Sequence, residues 1–333
     1  MPERVLTLRE LNRATLARQL LLERKRVAPV ALIERLVGLQ AQWPSAPYVG
    51  IWTRATGFRR AALERELARG AVVKANVMRQ TLHLVTPRDY GLVRAAMSEN
   101  NFPWETAAAK KVAQRVRAFA AAGPVTTAEA LAGLRLDARA WRAARSAAHL
   151  VHHHETALWN ARPEGRFVAL DEPERFVPVE ARAEMLQRYL AAFGPSTRKD
   201  INSWSMMHMP EIDAALALLD LRRYRDEQGR ELLDVLRAPI PDPETPAPVR
   251  FLPKWDNVLL AHSDRSRILP HPHRKLIIGK NGDVAPTFLV DGFVAGTWRF
   301  EKGRVALEPF AKLSRASQSE LEGEAANLEA FLA

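Results

Sequence analysis

The chain has 333 residues, long for one compact core, and this length points to two or three folding units. Lysine and arginine number 49 against 38 acids, a formal charge of +11; that makes a polyanion the default partner, although net charge speaks to solubility and non-specific binding rather than to fold. With no cysteine, disulfides, zinc–thiolate centres and a thiol nucleophile are excluded, and with no bilayer-length apolar run and a charged rather than signal-like start, a cytoplasmic protein is expected.

Apolar residues at helical spacing (Leu8, Leu11, Leu16, Leu20) predict a helix over 6–22, and a second is predicted over 28–39 after a basic connection through Lys25 and Arg26. That helix runs into Gln40-Ala41-Gln42-Trp43-Pro44. A third helix is expected over 58–69, with Arg59, Arg60, Arg65 and Arg69 on its polar surface and Gly70 ending it. Two short runs rich in β-branched residues, 72–77 and 81–85, flank Met78-Arg79-Gln80 and read as a hairpin. Three helices and a hairpin make a winged helix-turn-helix.

Further helices are predicted over 87–100 and 104–122. A punctuation then repeats: Gly123-Pro124-Val125-Thr126-Thr127 precedes a helical run at 128–134, and Gly194-Pro195-Ser196-Thr197 precedes another at 198–204. Glycine ends one helix, proline forbids its continuation, and a hydroxyl residue caps the next. The first turn leads to a basic helix over 138–153 and a wing at 156–159 and 166–170. The second leads to a helix over 210–219 and strands near 221–224 and 231–235. A stiff proline-rich connection at 239–248 is followed by strands at 275–278, 287–290, 293–300 and 305–307, with turns at 279–282 and 291–292, then a helix over 317–332. The expected fold is α+β, predominantly helical: three tandem winged helix-turn-helix units at 1–103, 104–173 and 174–333, the last carrying the β-rich hairpins.

Gln40 and Gln42 stand one residue apart, so their amides converge on a small polar object such as water if the backbone there is extended or irregular. With equal weight they satisfy loose carbonyls at a helix end. Arg79, Thr81 and His83 alternate along an expected strand and should share one face, either lining a site or forming a hydrogen-bonded wing. Asp256, His262 and Asp264 lie beside Arg265 and Arg267 and read as an ion-pair cluster rather than acid–base machinery. His149, His152, His153 and His154 have the spacing of ligands on one helix face, but no motif acid accompanies them, so no metal is expected. His271, His273, Arg274 and Lys275, leading to Lys280, are better placed for DNA contact. Trp43 and Tyr48 either stack on a base or belong to the core.

Leu6-Thr7-Leu8-Arg9-Glu10-Leu11-Asn12-Arg13, Gln40-Ala41-Gln42, Met78-Arg79-Gln80-Thr81-Leu82-His83-Leu84-Val85, the segment from Trp255 through Asp256-Asn257-Val258 to Arg265, and Val290-Asp291-Gly292-Phe293 onward to Arg299 resemble the winged-helix DNA glycosylases of the AlkZ-like type over nearly the whole chain. The resemblance implies tandem winged helices in a curved arrangement that remove alkylated purines from DNA. N7-alkylguanines are its substrates, and some members release guanines joined by azinomycin-type interstrand crosslinks. The family's Gln-hydrophobic-Gln motif falls on Gln40 and Gln42 as catalytic residues, with a small Ala41 between them, and its DNA-holding C-terminal hairpin falls on the stretch from His271 to Lys280. The expectation is a cofactor-free, monofunctional DNA glycosylase of DNA repair, acting as a monomer on double-stranded DNA. Which adduct is preferred, and whether crosslinks are unhooked, stays open. The competing reading is a winged-helix transcription regulator on undamaged DNA. Lyase chemistry would need an amine near C1′, and Lys74 is the one lysine near Gln40 to consider, its placement open from sequence.

Overall fold

The computed structural model describes residues 4–97, 102, 104–161, 165–171 and 174–333. Strand β1 (Val5–Leu6) precedes α1 (Leu8–Arg18), which starts on a capping box between Thr7 and Glu10. Helix α2 (Pro29–Arg35) begins on its proline. It stops short of the expected 39, because Val37 and Gly38 turn the chain with φ of +56° and +89°, and Leu39–Gln40 forms strand β2 instead. A Cβ on Gly38 would stand 3.0 Å from Val85 Cγ1 and 3.2 Å from Leu84 O, so glycine lets this turn lie against the hairpin. Helix α3 (Ala46–Trp52), which periodicity did not suggest, comes before α4 (Arg60–Ala68). The expected hairpin follows as β3 (Val73–Asn76) and β4 (Leu82–Val85), joined by a 3₁₀ turn at Met78–Gln80.

Helix α5 (Pro87–Ala96) is capped by Thr86; residues 98–100, included in the expected helix, lie outside the described residues, as do 103 and 173 at the expected unit boundaries. Next come α6 (Ala107–Ala120), β5 (Val125–Thr126), α7 (Thr127–Leu134), α8 (Ala138–Ala147), β6 (Leu150–His152) and β7 (Arg166–Ala169). The helix expected to reach 153 ends at Ala147, since Leu150, Val151 and His152 pair with Ala169, Val168 and Phe167. The four histidines therefore share no helix face, and the second wing opens at Leu150 rather than 156.

Helix α9 (Pro178–Phe193) leads into α10 (Arg198–Ser205), α11 (Met209–Leu216), β8 (Leu221–Asp226) and β9 (Glu231–Val235). Both Gly-Pro turns cap as read: Thr126 forms a capping box with Glu129, and Thr197 with Asp200. The C-terminal part comprises β10 (Arg250–Leu252), α12 (Arg274–Ile277), β11 (Thr287–Val290), β12 (Phe293–Glu301), β13 (Arg304–Pro309) and α13 (Arg315–Leu332). The strand expected at 275–278 is a helical turn; only Ile278 bridges, to Val284, around the Lys280 turn.

Three sheets assemble from these strands, in the orders β2-β4-β3-β6-β7-β5, β1-β8-β9 and β10-β11-β12-β13. The first two hairpins thus merge, with Lys74 of β3 opposite His152 of β6. Strand β1 runs parallel to β8, so the start of the chain packs with the third helical segment. Helix α9 buries Met185, Leu186, Tyr189, Leu190 and Phe193 at the centre of the largest core cluster. Among the described residues no helix is long and apolar enough to cross a membrane.

Two buried ion pairs tie distant segments together: Arg18 with Asp234 and Arg54 with Asp256, each closing to 2.7 Å. The acids expected to pair with Arg265 and Arg267 are structural, but with other partners. Asp256 takes Arg54, Asp264 takes Arg230 at 3.0 Å, and His262 Nε2 meets Phe193 O at 3.0 Å. Arg267 donates to Pro195 O instead.

Candidate active site

Strand β2 lies at the edge of the six-stranded sheet, paired with β4 so that Leu39 faces Leu84 and Gln40 faces His83. Gln40 is buried, its Oε1 accepting from Arg79 Nη2 at 3.4 Å. Ala41 N–H donates to Leu82 O at 2.7 Å, pinning the chain to β4. The strand then ends, and Gln42 is exposed, with its Oε1 accepting from Leu82 N–H at 3.4 Å. The two amides flank one pinned residue but meet different surroundings. Gln40 sits with Arg79 inside the protein, whereas Gln42 lines a cleft of about 660 Å³ together with Trp43, Lys74, Leu82, His152 and Trp159.

Neither glutamine is used to close the end of α2. Gly38 N–H returns to Ile33 O at 2.8 Å and Val37 N–H to Glu34 O at 3.1 Å, while the Asn257 amide covers the carbonyls of Leu36 and Gly38 at 3.3 and 2.7 Å. With those carbonyls partnered, the helix-end role loses its object.

Arg79 departs from the expected strand alternation. It occupies the 3₁₀ turn in the left-handed region (φ +51°), because the hairpin reverses there. Its guanidinium nonetheless reaches the site, donating to Trp204 O at 3.2 Å as well as to Gln40. Burial, with repulsion from Arg265 added, pushes its pKa down to about 10. Thr81 spends its hydroxyl on Met78 O within the turn. His83 is buried, its Nδ1 3.0 Å from Thr81 O, and Nε2 has no partner among the described residues. Burial first, then the charge of Arg79, pushes its pKa down to about 3, so the ring is neutral at physiological pH.

That shift has a sign. Unfolded, His83 takes up its proton near pH 6.5; folded, it resists until about pH 3. Its contribution to stability is complete above pH 6.5 and is lost as pH falls, by up to about 1.4 kcal/mol per pH unit. His83→Gln is expected to flatten the slope of unfolding free energy between pH 6.5 and 4 by about one proton. Urea titrations at stepped pH measure it, and an unchanged slope counts against a neutral buried ring.

Trp43 is 54% exposed, with Lys254 Nζ 5.5 Å from its ring centroid. Tyr48 is the opposite: fully buried, edge-on to Trp159 and donating to Ala157 O, it belongs to the core and has no face to offer a base. The difference arises because Trp43 precedes α3 while Tyr48 lies on its packed side. His271, Arg274, Lys275 and Lys280 are exposed beside Leu276, which is 61% exposed; His273 packs on Phe310 with ring centroids 4.6 Å apart. They form a basic surface on a helical turn and the following loop, and none of them lines the Gln42 cleft.

The cleft also contains Lys74, whose placement the sequence left open, and Trp159 and Asn160, which residue patterns did not single out. Lys74 is buried on β3, donates to Thr156 O at 3.0 Å, and has its pKa pushed down to about 8 by burial. A lysine in the short strand Val73-Lys74-Ala75-Asn76 was the available signal. His152, also in the cleft, is held neutral to about pH 3 by burial and by the nearby charges of Lys74 and Arg145.

A family model described as DNA glycosylase AlkZ-like matches residues 33–331. An interstrand DNA cross-link repair glycosylase of Streptomyces sahachiroi is 24% identical, covering 93% of this chain and 92% of that protein. The solved structure of Streptomyces sahachiroi DNA glycosylase AlkZ matches with a TM-score of 0.82 at 20% identity, over 98% of this chain and 97% of that one, a likeness of fold.

Proposed function

The chain belongs to the AlkZ-like family of DNA glycosylases, and from that premise we propose that it hydrolyses the N-glycosidic bond of cationic, N7-alkylated purines in duplex DNA, with Gln40 and Gln42 as its catalytic residues. The observation that carries this reading is the freedom of the glutamines from any helix-end duty, one of them lining a cleft large enough for a purine.

Alkylation at N7 makes the base a good leaving group, so no strong general acid is required. What remains is to expose C1′, position a water and favour an oxocarbenium-like sugar. An amide oxygen has a second lone pair beyond the one it shares with a backbone N–H, and can accept from a water while turning partial negative charge toward the sugar. Gln42 Oε1 is anchored by Leu82 N–H and Gln40 Oε1 by Arg79, so both are held without being exhausted. Excision on this reading is hydrolytic and monofunctional.

The proposal extends to architecture and substrate size. The order α2-β2-α3-α4-β3-β4 supports a winged helix in the first part, and three such units in tandem would let one monomer embrace a duplex through phosphate contacts. A guanine tied to the opposite strand cannot swing fully out of the helix, and the cleft beside exposed Trp43 supports bulky adducts or crosslinks as further substrates.

The test is a duplex carrying one 7-methylguanine, incubated with the protein, treated with alkali and run on a denaturing gel. Lesion-dependent cleavage is expected; tight binding to undamaged sequence without cleavage would favour a regulator. The basic surface gives a second expectation. Removing Arg274 and Lys280 together should weaken binding across sequences and lower the slope of log K against log salt by about 0.9 per lost phosphate contact. A titration across salt concentrations that returned the wild-type slope would remove these residues from the interface.

A further inference from the structure

We propose that the Lys74 amine captures the abasic-site aldehyde left by base release, holding the product as a reversible imine in the Gln42 cleft. This rests on the glycosylase reading of the same site, and it leaves base release itself to water.

Lys74 is a costly residue to bury. Lys74 sits in the middle of β3, 6% exposed, opposite Leu84 on one side and His152 on the other, neither of which carries a compensating negative charge. Its one hydrogen bond among the described residues is to the Thr156 carbonyl at 3.0 Å, and no carboxylate pairs with it there. A buried ammonium without a counter-ion costs stability, and a neutral residue would fill this strand position more cheaply. Burial alone pushes its pKa down to about 8, which leaves about a quarter of the amine unprotonated at pH 7.5 against about 0.1% for an ordinary lysine. Such desolvated lysines are nucleophiles toward carbonyls.

Position completes the argument. Lys74 lines the same cleft as Gln42, Trp43 and His152, so a deoxyribose held at Gln42 for hydrolysis lies in the space the amine borders. After base release the sugar opens to its C1′ aldehyde. The Lys74 Nζ lone pair forms a bond to C1′, the nitrogen gives up its two protons to the former carbonyl oxygen, and the C1′–O bond breaks as that oxygen leaves as water, giving a neutral C=N bond. Hydrolysis reverses the step, with no oxidant or reductant consumed. The chemistry would hold a reactive abasic product on the enzyme until it is handed on.

The experiment supplies the product directly: a duplex with one natural abasic site, incubated with the full-length protein and sodium borohydride, which reduces an imine to a stable amine. A covalent protein–DNA species is expected on a denaturing gel, with peptide mass mapping placing it on Lys74. Lys74→Met and Lys74→Arg should each reduce it at least 10-fold; arginine can still donate to Thr156 O but forms no such imine. A wild-type signal no greater than that with a tetrahydrofuran site, which has no aldehyde, overturns the proposal, as does mapping to another amine. If either variant fails to fold, mapping on the wild-type protein decides alone. Because the abasic duplex bypasses excision, a failure to release 7-methylguanine would overturn the substrate reading separately.

Discussion

The Gln40→Ala/Gln42→Ala variant is expected to release 7-methylguanine at least about 100-fold more slowly than wild type in single turnover, the loss typical when positioned dipoles are removed from a developing charge. The two substitutions are made together because both amides are assigned to the reaction, Gln40 anchored by Arg79 and Gln42 by Leu82 N–H. The variant should still bind duplex DNA, since the exposed cations of α12 and the Lys280 turn are untouched. Measuring binding beside the excision rate separates lost chemistry from lost structure. Wild-type excision by the double variant would sink the catalytic assignment.

Asp256→Ala is expected to destabilise the protein by about 3–5 kcal/mol, the cost of leaving a buried charge without its partner. Arg54 and Asp256 are both essentially inaccessible and meet in a two-pronged contact of 2.7 and 2.8 Å. After truncation the guanidinium keeps Gly50 O and a long contact to Gln19, and its Nε already lacks a partner among the described residues. The loss would travel. Asp256 Oδ1 also caps the short helical turn at Asn257–Leu259, which positions the Asn257 amide over the carbonyls of Leu36 and Gly38, immediately before β2. Urea unfolding reads the effect, and the apolar pair Arg54→Met/Asp256→Leu should recover much of it. A cost below about 1 kcal/mol, the scale of a surface pair, would show that the contact is not desolvated in solution.

Local signals by themselves determined a good part of this protein. The hairpin at 73–85, the last strands and the final helix were legible because alternation and turn residues act within a few positions of one another. The Gly-Pro-x-Thr punctuation was legible for the same reason, since a capping box spans three residues. Family membership was readable from dispersed motifs that the match over residues 33–331 then bore out. The candidate pair Gln40 and Gln42 was visible as an oddity, an amide pair running out of an apolar helix.

What only the tertiary structure decided depends on partners far away in the chain. Leu39 and Gln40 continue a helical pattern in sequence, yet they form a strand because Gly38 turns the backbone onto β4 more than 40 residues later. The first two hairpins fuse through Lys74 and His152, and β1 finds β8 across most of the chain. Asp256 sat among nearby arginines but paired with Arg54, 202 residues away, because a buried carboxylate is matched by whichever cation the packing buries beside it. Trp43 and Tyr48 looked alike until packing placed one in solvent and the other in the core. Likewise, the amine of Lys74 acquires its depressed pKa and its place in the cleft only from the Thr156 turn and the neighbouring strands. Caps and turns draw their free energy from adjacent residues, whereas desolvation is a property of the assembled core, and it settles which polar groups end up buried, paired or poised for chemistry.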